Sequence, residues 1–200
     1  TLLDAWQTPA PDRRILYSTI CQVLQDSRRQ RFYLLLVETY TDKNDLDEMA
    51  RTAATEAALG AIRDPVTWFR HQRNLLTRPA IQALQDTSLL ELLKIFQEGK
   101  LSDYEAFGQD VSKWGLNASA CQRHMRILSL CSLAAEHEEI PYSDIAQTLQ
   151  LDGTGQVETW VIAAVNSGLL QAKMDQLTQN VMVERCVVRQ FEMEQWKDLQ

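Results

Sequence analysis

The sequence predicts a mainly α-helical chain in three parts. Residues 1–116 read as a helical-repeat solenoid of the TPR or HEAT kind, 117–190 as a winged helix with a small antiparallel β-sheet, and 191–200 as the start of a C-terminal helix. Three observations carry this. Apolar residues recur at helical spacing, with short breaks, from Pro11 to about Lys113. The period then changes from 3.6 to 2 just after Gly168. An apolar stripe resumes at Phe191 and is unfinished at Gln200.

Pro11 and Asp12 suit the first turn of a helix carrying Ile15, Ile20, Val23 and Leu24. Phe32, Leu35, Leu36 and Thr39 mark a second helix. Leu46, Met49, Ala50, Ala53, Ala57 and Ala58 mark a third, whose small side chains admit close neighbours. Asp64 before Pro65 is a cap followed by a first-turn proline, leading into Trp68 and Phe69. Asp86 precedes Leu89, Leu90, Leu93 and Phe96, with Gly99 as the stop, and Ser102 with Glu105 reads as a capping box. Such helices cannot bury their apolar faces alone, so they are expected to stack in antiparallel pairs, although no strict sequence repeat is present.

Asn117 opens a longer helix through Met125, Leu128, Cys131 and Ala135, and Pro141, Tyr142 and Ser143 begin a short one with Ile145, Ala146 and Leu149. Val157, Trp160, Val161, Ala164, Val165 and Gly168 form one stripe of a third, with Asp152 or Thr154 to cap it and Gly168 to end it. Leu170, Ala172 and Met174, then Val181, Val183 and Arg185, alternate as two strands about a polar tip, Asp175 to Asn180. The tip has no glycine, which favours a longer wing over a two-residue turn.

A winged helix raises nucleic acid as a ligand, and the charges oppose it. From Gly153 to Gly168 there is no Lys or Arg, and Glu158 is the only charge. From Cys121 onward six basic residues face eleven acidic ones, in a chain of net charge −7. Non-specific duplex affinity comes from cations displacing counterions at phosphates, so this module is expected to bind protein. Arg28, Arg29 and Arg31, beside Phe32 and Tyr33, are the densest basic cluster and the only candidate RNA contact. The plainer reading is a solvated helix junction pairing with Asp26 and Glu38.

No run of apolar residues approaches a bilayer span, and the N-terminus lacks a signal-peptide pattern. The chain opens at Thr1 and stops inside a helical pattern, as expected of a piece of something longer. Four cysteines without CxxC spacing read as reduced thiols, which points to the cytoplasm. Cys121, His124, Cys131 and His137 are strung along several turns of one helix and cannot converge on a tetrahedral zinc. His71, His124 and His137 stand in no catalytic motif, and Gly153 with Gly155 is a lone GxG without a preceding strand. Neither enzyme activity nor a cofactor is expected.

Several segments, in order, resemble a known family. They are 61–65 (AIRDP), 75–79 (LLTRP), 92–96 (LLKIF) with Lys100, Leu101 and Tyr104, then Val157, Glu158, Val161, Ile162, Ala164 and Val165. They continue through 173–176 (KMDQ), Val181 to Val183, and Phe191 with Gln195 and Trp196. Together they resemble PCI domain proteins of the proteasome lid, the COP9 signalosome and eukaryotic translation initiation factor 3, the initiation-factor branch above all. The resemblance implies a non-catalytic scaffold subunit whose partners are sister PCI subunits and, indirectly, the small ribosomal subunit and messenger RNA. The wing departs from the family pattern, with Leu177-Thr178-Gln179-Asn180 where a basic residue is expected. Candidate interface residues are Met174, Asp175, Gln176, Val181 and Val183 on the hairpin, its Val181 to Val183 segment supplying an open edge, and Met193, Trp196 and Leu199 on the last helix. The rivals are a nucleic-acid-binding winged helix and a PCI subunit of the signalosome or the proteasome lid.

Overall fold

The computed structural model describes residues 8–25, 27–70 and 74–189. In chain order the helices are α1 (Ala10–Val23), α2 (Ser27–Glu38), α3 (Glu48–Arg63), α4 (Pro65–Arg70), α5 (Pro79–Gln82), α6 (Thr87–Glu98) and α7 (Leu101–Phe107). After them come α8 (Ala118–Glu136), β1 (Glu139–Pro141), α9 (Tyr142–Thr148), α10 (Val157–Ser167), β2 (Leu170–Asp175) and β3 (Asn180–Cys186). The chain divides into two compact units, Thr1–Ile62 with Asn74–Leu93 and Arg63–Arg73 with Lys94–Gln200.

In the first unit α1 and α2 form a helical pair. The face α1 buries is Tyr17 and Cys21, one turn apart, while Ile15 and Val23 are 62% and 75% exposed. Ile15 and Val23, which mark this helix in the sequence, thus lie on its outer side, and Tyr17 turns toward α2, its ring 6.1 Å from that of Phe32. The alanine face of α3 is as expected, with Ala50, Ala53, Ala54, Ala57 and Ala58 all buried. Entry to α3 is fixed by a short relay. Arg14 sits 3.9 Å over the Tyr40 ring and pairs with Asp45, Tyr40 donates its hydroxyl to Asp47 (2.8 Å), and Asp47 accepts from the Ala50 N–H (2.7 Å). Burial, reinforced by Asp47, drives the Tyr40 hydroxyl well above its ordinary pKa, so it stays protonated and able to donate.

The second unit holds the winged helix. Asp64 caps α4 through the Thr67 N–H and Asn117 caps α8 through the Ala120 N–H. The cap of α7 is displaced from the expected Ser102 and Glu105 pair. Asp103 instead reaches back to the Lys100 N–H at 2.7 Å, because α7 starts at Leu101 and places Ser102 inside its first turn. The sheet order is β1-β3-β2, all antiparallel. Ile140 of β1 and Met174 of β2 both pair with Val181, so β3 is the middle strand. Inward from the sheet, Ile140, Leu170 and Val181 join Val157, Val161 and Ala164 of α10 and Ile145 and Leu149, all essentially without solvent contact.

Beyond β3 the chain runs on past Leu169, whose carbonyl accepts from the Val187 N–H, to Arg189. The Arg189 guanidinium donates to the carbonyls of Gly99 (2.9 Å), Phe96 (2.7 Å) and Ile95 (3.3 Å) and to the Ser132 hydroxyl (3.0 Å), with its carbon 5.6 Å from the Phe69 ring centroid. It thus places a cation on the carbonyls at the end of α6, where the helix dipole favours one; of these Ile95 also accepts from the Gly99 N–H. Burial lowers its pKa to about 10, which leaves it charged at neutral pH. Arg189→Met is expected to lower the free energy of unfolding by about 2–3 kcal/mol, since it removes four charge-assisted hydrogen bonds at once, among them the one to the buried Phe96. A urea titration measures this, and a change below about 0.5 kcal/mol, the range of ordinary surface substitutions, would show that the guanidinium is not a structural tie.

Candidate protein-binding site on the winged helix

The sequence that makes α10 also decides what it offers. A 3₁₀ turn at Thr154–Gln156 leads into the helix, and Gln156 stands at its N-cap without a side-chain hydrogen bond, so neither Asp152 nor Thr154 caps it as expected. Its C-terminus is as expected: Gly168 takes φ 75°, the left-handed conformation that ends a helix at least steric cost. Val157, Val161 and Ala164 face inward, which leaves Thr159, Ile162, Val165 and Asn166 outside, Ile162 at 47% and Val165 at 37% exposure. The one charge of α10, Glu158, is held by its own chain. It accepts from the Tyr142 hydroxyl (3.3 Å) and from the Gln176 side-chain amide (3.0 Å). Trp160 is half-buried beneath Arg126, whose guanidinium carbon lies 5.2 Å from the ring centroid.

The wing is a four-residue loop, 176–179, closed by the Asp175 and Asn180 pair, which agrees with the longer loop expected of a glycine-free tip. Gln179 supplies the left-handed residue, φ 54°. Asp175 organises the turn, accepting from the Leu177 N–H (2.9 Å) and the Thr178 N–H (3.3 Å). Those hydrogen bonds, Thr178 first, hold its carboxyl below the ordinary carboxylate range. The other flank is tied to β1 and α9: Asn180 donates to Glu139 (2.7 Å) and the Tyr142 N–H to the Gln179 carbonyl (2.8 Å). Leu177 stands at the tip, 96% exposed.

The structure brings Met174, Asp175 and Gln176 together at the end of β2 and the wing. Among the described residues β2 has β3 on one side and no strand on the other. Gln171, Lys173 and Met174 of this edge strand are exposed. The expectation that Val181 to Val183 supply the open edge is overturned. Val181 is wholly buried, and the Val183 N–H donates to the Glu138 carbonyl at 2.8 Å. The cause is β1, three residues long and too short to show an alternating pattern. Met193, Trp196 and Leu199 lie outside the described residues. Ile162, Val165 and Leu177 were not singled out as surface groups. Ile162 had a signal, an apolar residue off the stripe, whereas Val165 sat within it.

The basic cluster separates. Arg29 turns back, donating to the Tyr33 hydroxyl (2.6 Å) with its guanidinium over that ring, while Arg28 and Arg31 are exposed. Glu38, expected to pair with this cluster, meets Arg78 at 3.5 Å. Of the imagined zinc ligands, Cys121 lies against Tyr104, Cys131 against Cys186, and His137 is exposed. Among the described residues no group of three or more His, Cys, Asp or Glu could hold a metal ion, and no helix is long and apolar enough to cross a membrane.

Helices leading in chain order into a winged helix, with a reading helix that carries no cation and an open sheet edge, fit a PCI domain. The PCI domain family model matches residues 72–185, more than half of the chain, and the chain belongs to that family. Over nearly its whole length it is similar to curated proteins called eukaryotic translation initiation factor 3 subunit M. The one from Phaeosphaeria nodorum is 34% identical over 98% of this chain and 47% of its own length. Those from Dictyostelium discoideum and Nematostella vectensis are 32% and 28% identical, again over 98% of this chain and over 51% and 53% of theirs. The chain spans about half the length of the relatives it matches.

The depressed Asp175 carboxyl gives a pH test of the wing. Its contribution is fully present above the unfolded carboxylate pKa, about 4, and is lost as pH falls through the lower folded value. The Leu177 and Thr178 amides are expected to lose hydrogen-exchange protection together below that range, and Asp175→Ala to remove the protection at neutral pH. Protection that is independent of pH and of this substitution would mean that the carboxylate does not hold the turn.

Proposed function

We propose that this chain is the PCI portion of a non-catalytic subunit of a translation initiation factor 3 complex, and that it acts in the cytoplasm by holding sister PCI subunits together. One observation supports this most directly. The outward face of α10 carries Ile162 and Val165 and no cation, and its single carboxylate is already engaged, so the surface suits an apolar protein partner and not phosphate. Beside it the outer edge of β2 offers strand addition to the corresponding module of a sister subunit. In this reading Met174 and Gln176 line the contact, Asp175 shapes it, and Val181 is core. The apolar spacing of Met193, Trp196 and Leu199 is the sequence's own argument for a further helix-bundle contact. Links to the small ribosomal subunit and messenger RNA are then indirect, through the partner subunits.

The test is co-purification of the tagged full-length protein with its complex. The pair Ile162→Asp and Val165→Asp is expected to weaken capture of sister subunits by about 100-fold or more, as removal of an interface centre does. Met174→Asp is expected to have a smaller effect, and circular dichroism checks that each variant folds. Undiminished assembly by the folded variants would remove this reading. Salt-dependent RNA binding that disappears on replacing Arg28, Arg29 and Arg31 with glutamine would support the nucleic-acid rival instead.

A further inference from the structure

Cys131 and Cys186 are far apart in sequence and meet where α8 passes the end of β3. The Cys186 thiol donates to the Cys131 carbonyl oxygen at 3.1 Å and lies 3.6 Å from the Val187 carbonyl oxygen, which sets it beside Cys131. Cys131 is 1% exposed, but Cys186 is only partly covered, and a cavity of about 580 Å³ between the α8–β1 turn and β3 opens beside it, lined among others by Ala134, His137 and Met182. A small uncharged oxidant therefore has a route to one thiol and not to the other. Two residues from Cys186 the chain places Val188 on the same cavity, and one further on Arg189 sets its guanidinium on Ser132, the neighbour of Cys131. The cluster has a partly covered thiol, a second, buried cysteine beside it, and a fixed cation nearby. None of these is used by the wing or by the outer face of α10.

We propose that Cys186 and Cys131 form a peroxide-sensitive dithiol, Cys186 being the sulfur that is attacked and Cys131 the one that resolves it into a disulfide. Cys186 as thiolate attacks a hydroperoxide: an S–O bond forms, the O–O bond breaks, and the leaving oxygen departs as water or alcohol. The Cys131 thiol then attacks the sulfenic sulfur, the S–S bond forms, the S–O bond breaks, and the hydroxyl leaves with the thiol proton as a second water. Two thiols are oxidised by two electrons and one peroxide is reduced by two. The direction of the acidities fits these roles. Hydrogen bonding from Cys131 lowers the Cys186 thiol below its usual range, and the same contact, with burial, raises Cys131. Cys21 and Cys121 are buried and raised by desolvation, and serve as internal controls. The product would staple α8 to the last residue of β3, next to the segment that carries Arg189.

The experiment treats the intact, folded protein with hydrogen peroxide, alkylates the remaining thiols, and maps the digest by mass spectrometry. The expected product is a Cys131–Cys186 linked peptide pair, two hydrogens lighter than the reduced pair and reversed by dithiothreitol, with Cys21 and Cys121 still alkylated. In Cys131→Ser the Cys186 sulfenic acid is expected to persist and to be trapped by dimedone. In Cys186→Ser, Cys131 is expected to stay reduced, with peroxide consumption falling by roughly ten-fold or more. The wild-type map needs neither variant to fold. Oxidation of Cys21 or Cys121 ahead of Cys186, or a Cys186 adduct that accumulates in wild type without the link, would overturn the proposal.

Discussion

The guanidinium of Arg189 is the constraint on which the second unit depends. The last carbonyls of a helix have no partner within the helix itself, and α6 ends at Glu98. A neutral residue in place of Arg189 would take this partner from the Phe96 and Gly99 carbonyls, and a second one from Ile95, which also accepts from the Gly99 N–H. Arg189 meets all three and adds the Ser132 hydroxyl of α8, so one planar side chain from the end of the sheet joins two helices. The arrangement retains its charge through the physiological range because its pKa, even pulled down by burial, is about 10.

Charge is what supports a protein partner for this winged helix. In a DNA-reading helix, cations and amides point outward to phosphates and base edges. Here the outward positions of α10 are Thr159, Ile162, Val165 and Asn166, and the single acid is spent internally on Tyr142 and Gln176. The Lys173 and Glu184 pair across the hairpin, at 2.6 Å, neutralises the only cation on β2. Being exposed, that pair contributes little to stability. What it does is remove an isolated positive charge from the strand edge.

Much of this was legible before any coordinates. The alanine face of α3, the cap at Asp64, the helix start at Asn117, the glycine stop at Gly168 and the hairpin after it all follow from local chemistry, in which residue type and spacing decide the backbone. The errors share a different cause. Strand β1 is too short for periodicity to detect, and without it β3 reads as an edge. The α7 cap moved two residues because a helix start is set by which carboxylate reaches which amide. Arg189, an isolated basic residue in sequence, acquires its meaning only from carbonyls some ninety positions earlier. Part of the proposed contact surface, Met174 to Gln176, was readable from the hairpin pattern, while the rest came from knowing which helix face the sheet covers.

The fastening of the wing has a consequence for how anything docks on it. A hairpin tip is usually the loosest part of a sheet, and ordering it on contact subtracts from affinity. This tip is held on one flank by Glu139 and the Tyr142 amide, on the other by Glu158, and internally by Asp175. The Leu177 backbone is thereby fixed on a preorganised mount while its side chain projects into solvent, so a complementary hollow would have to order that side chain but not the loop. Binding of that kind needs no rearrangement before it, so the encounter is expected to be governed by diffusion and orientation alone.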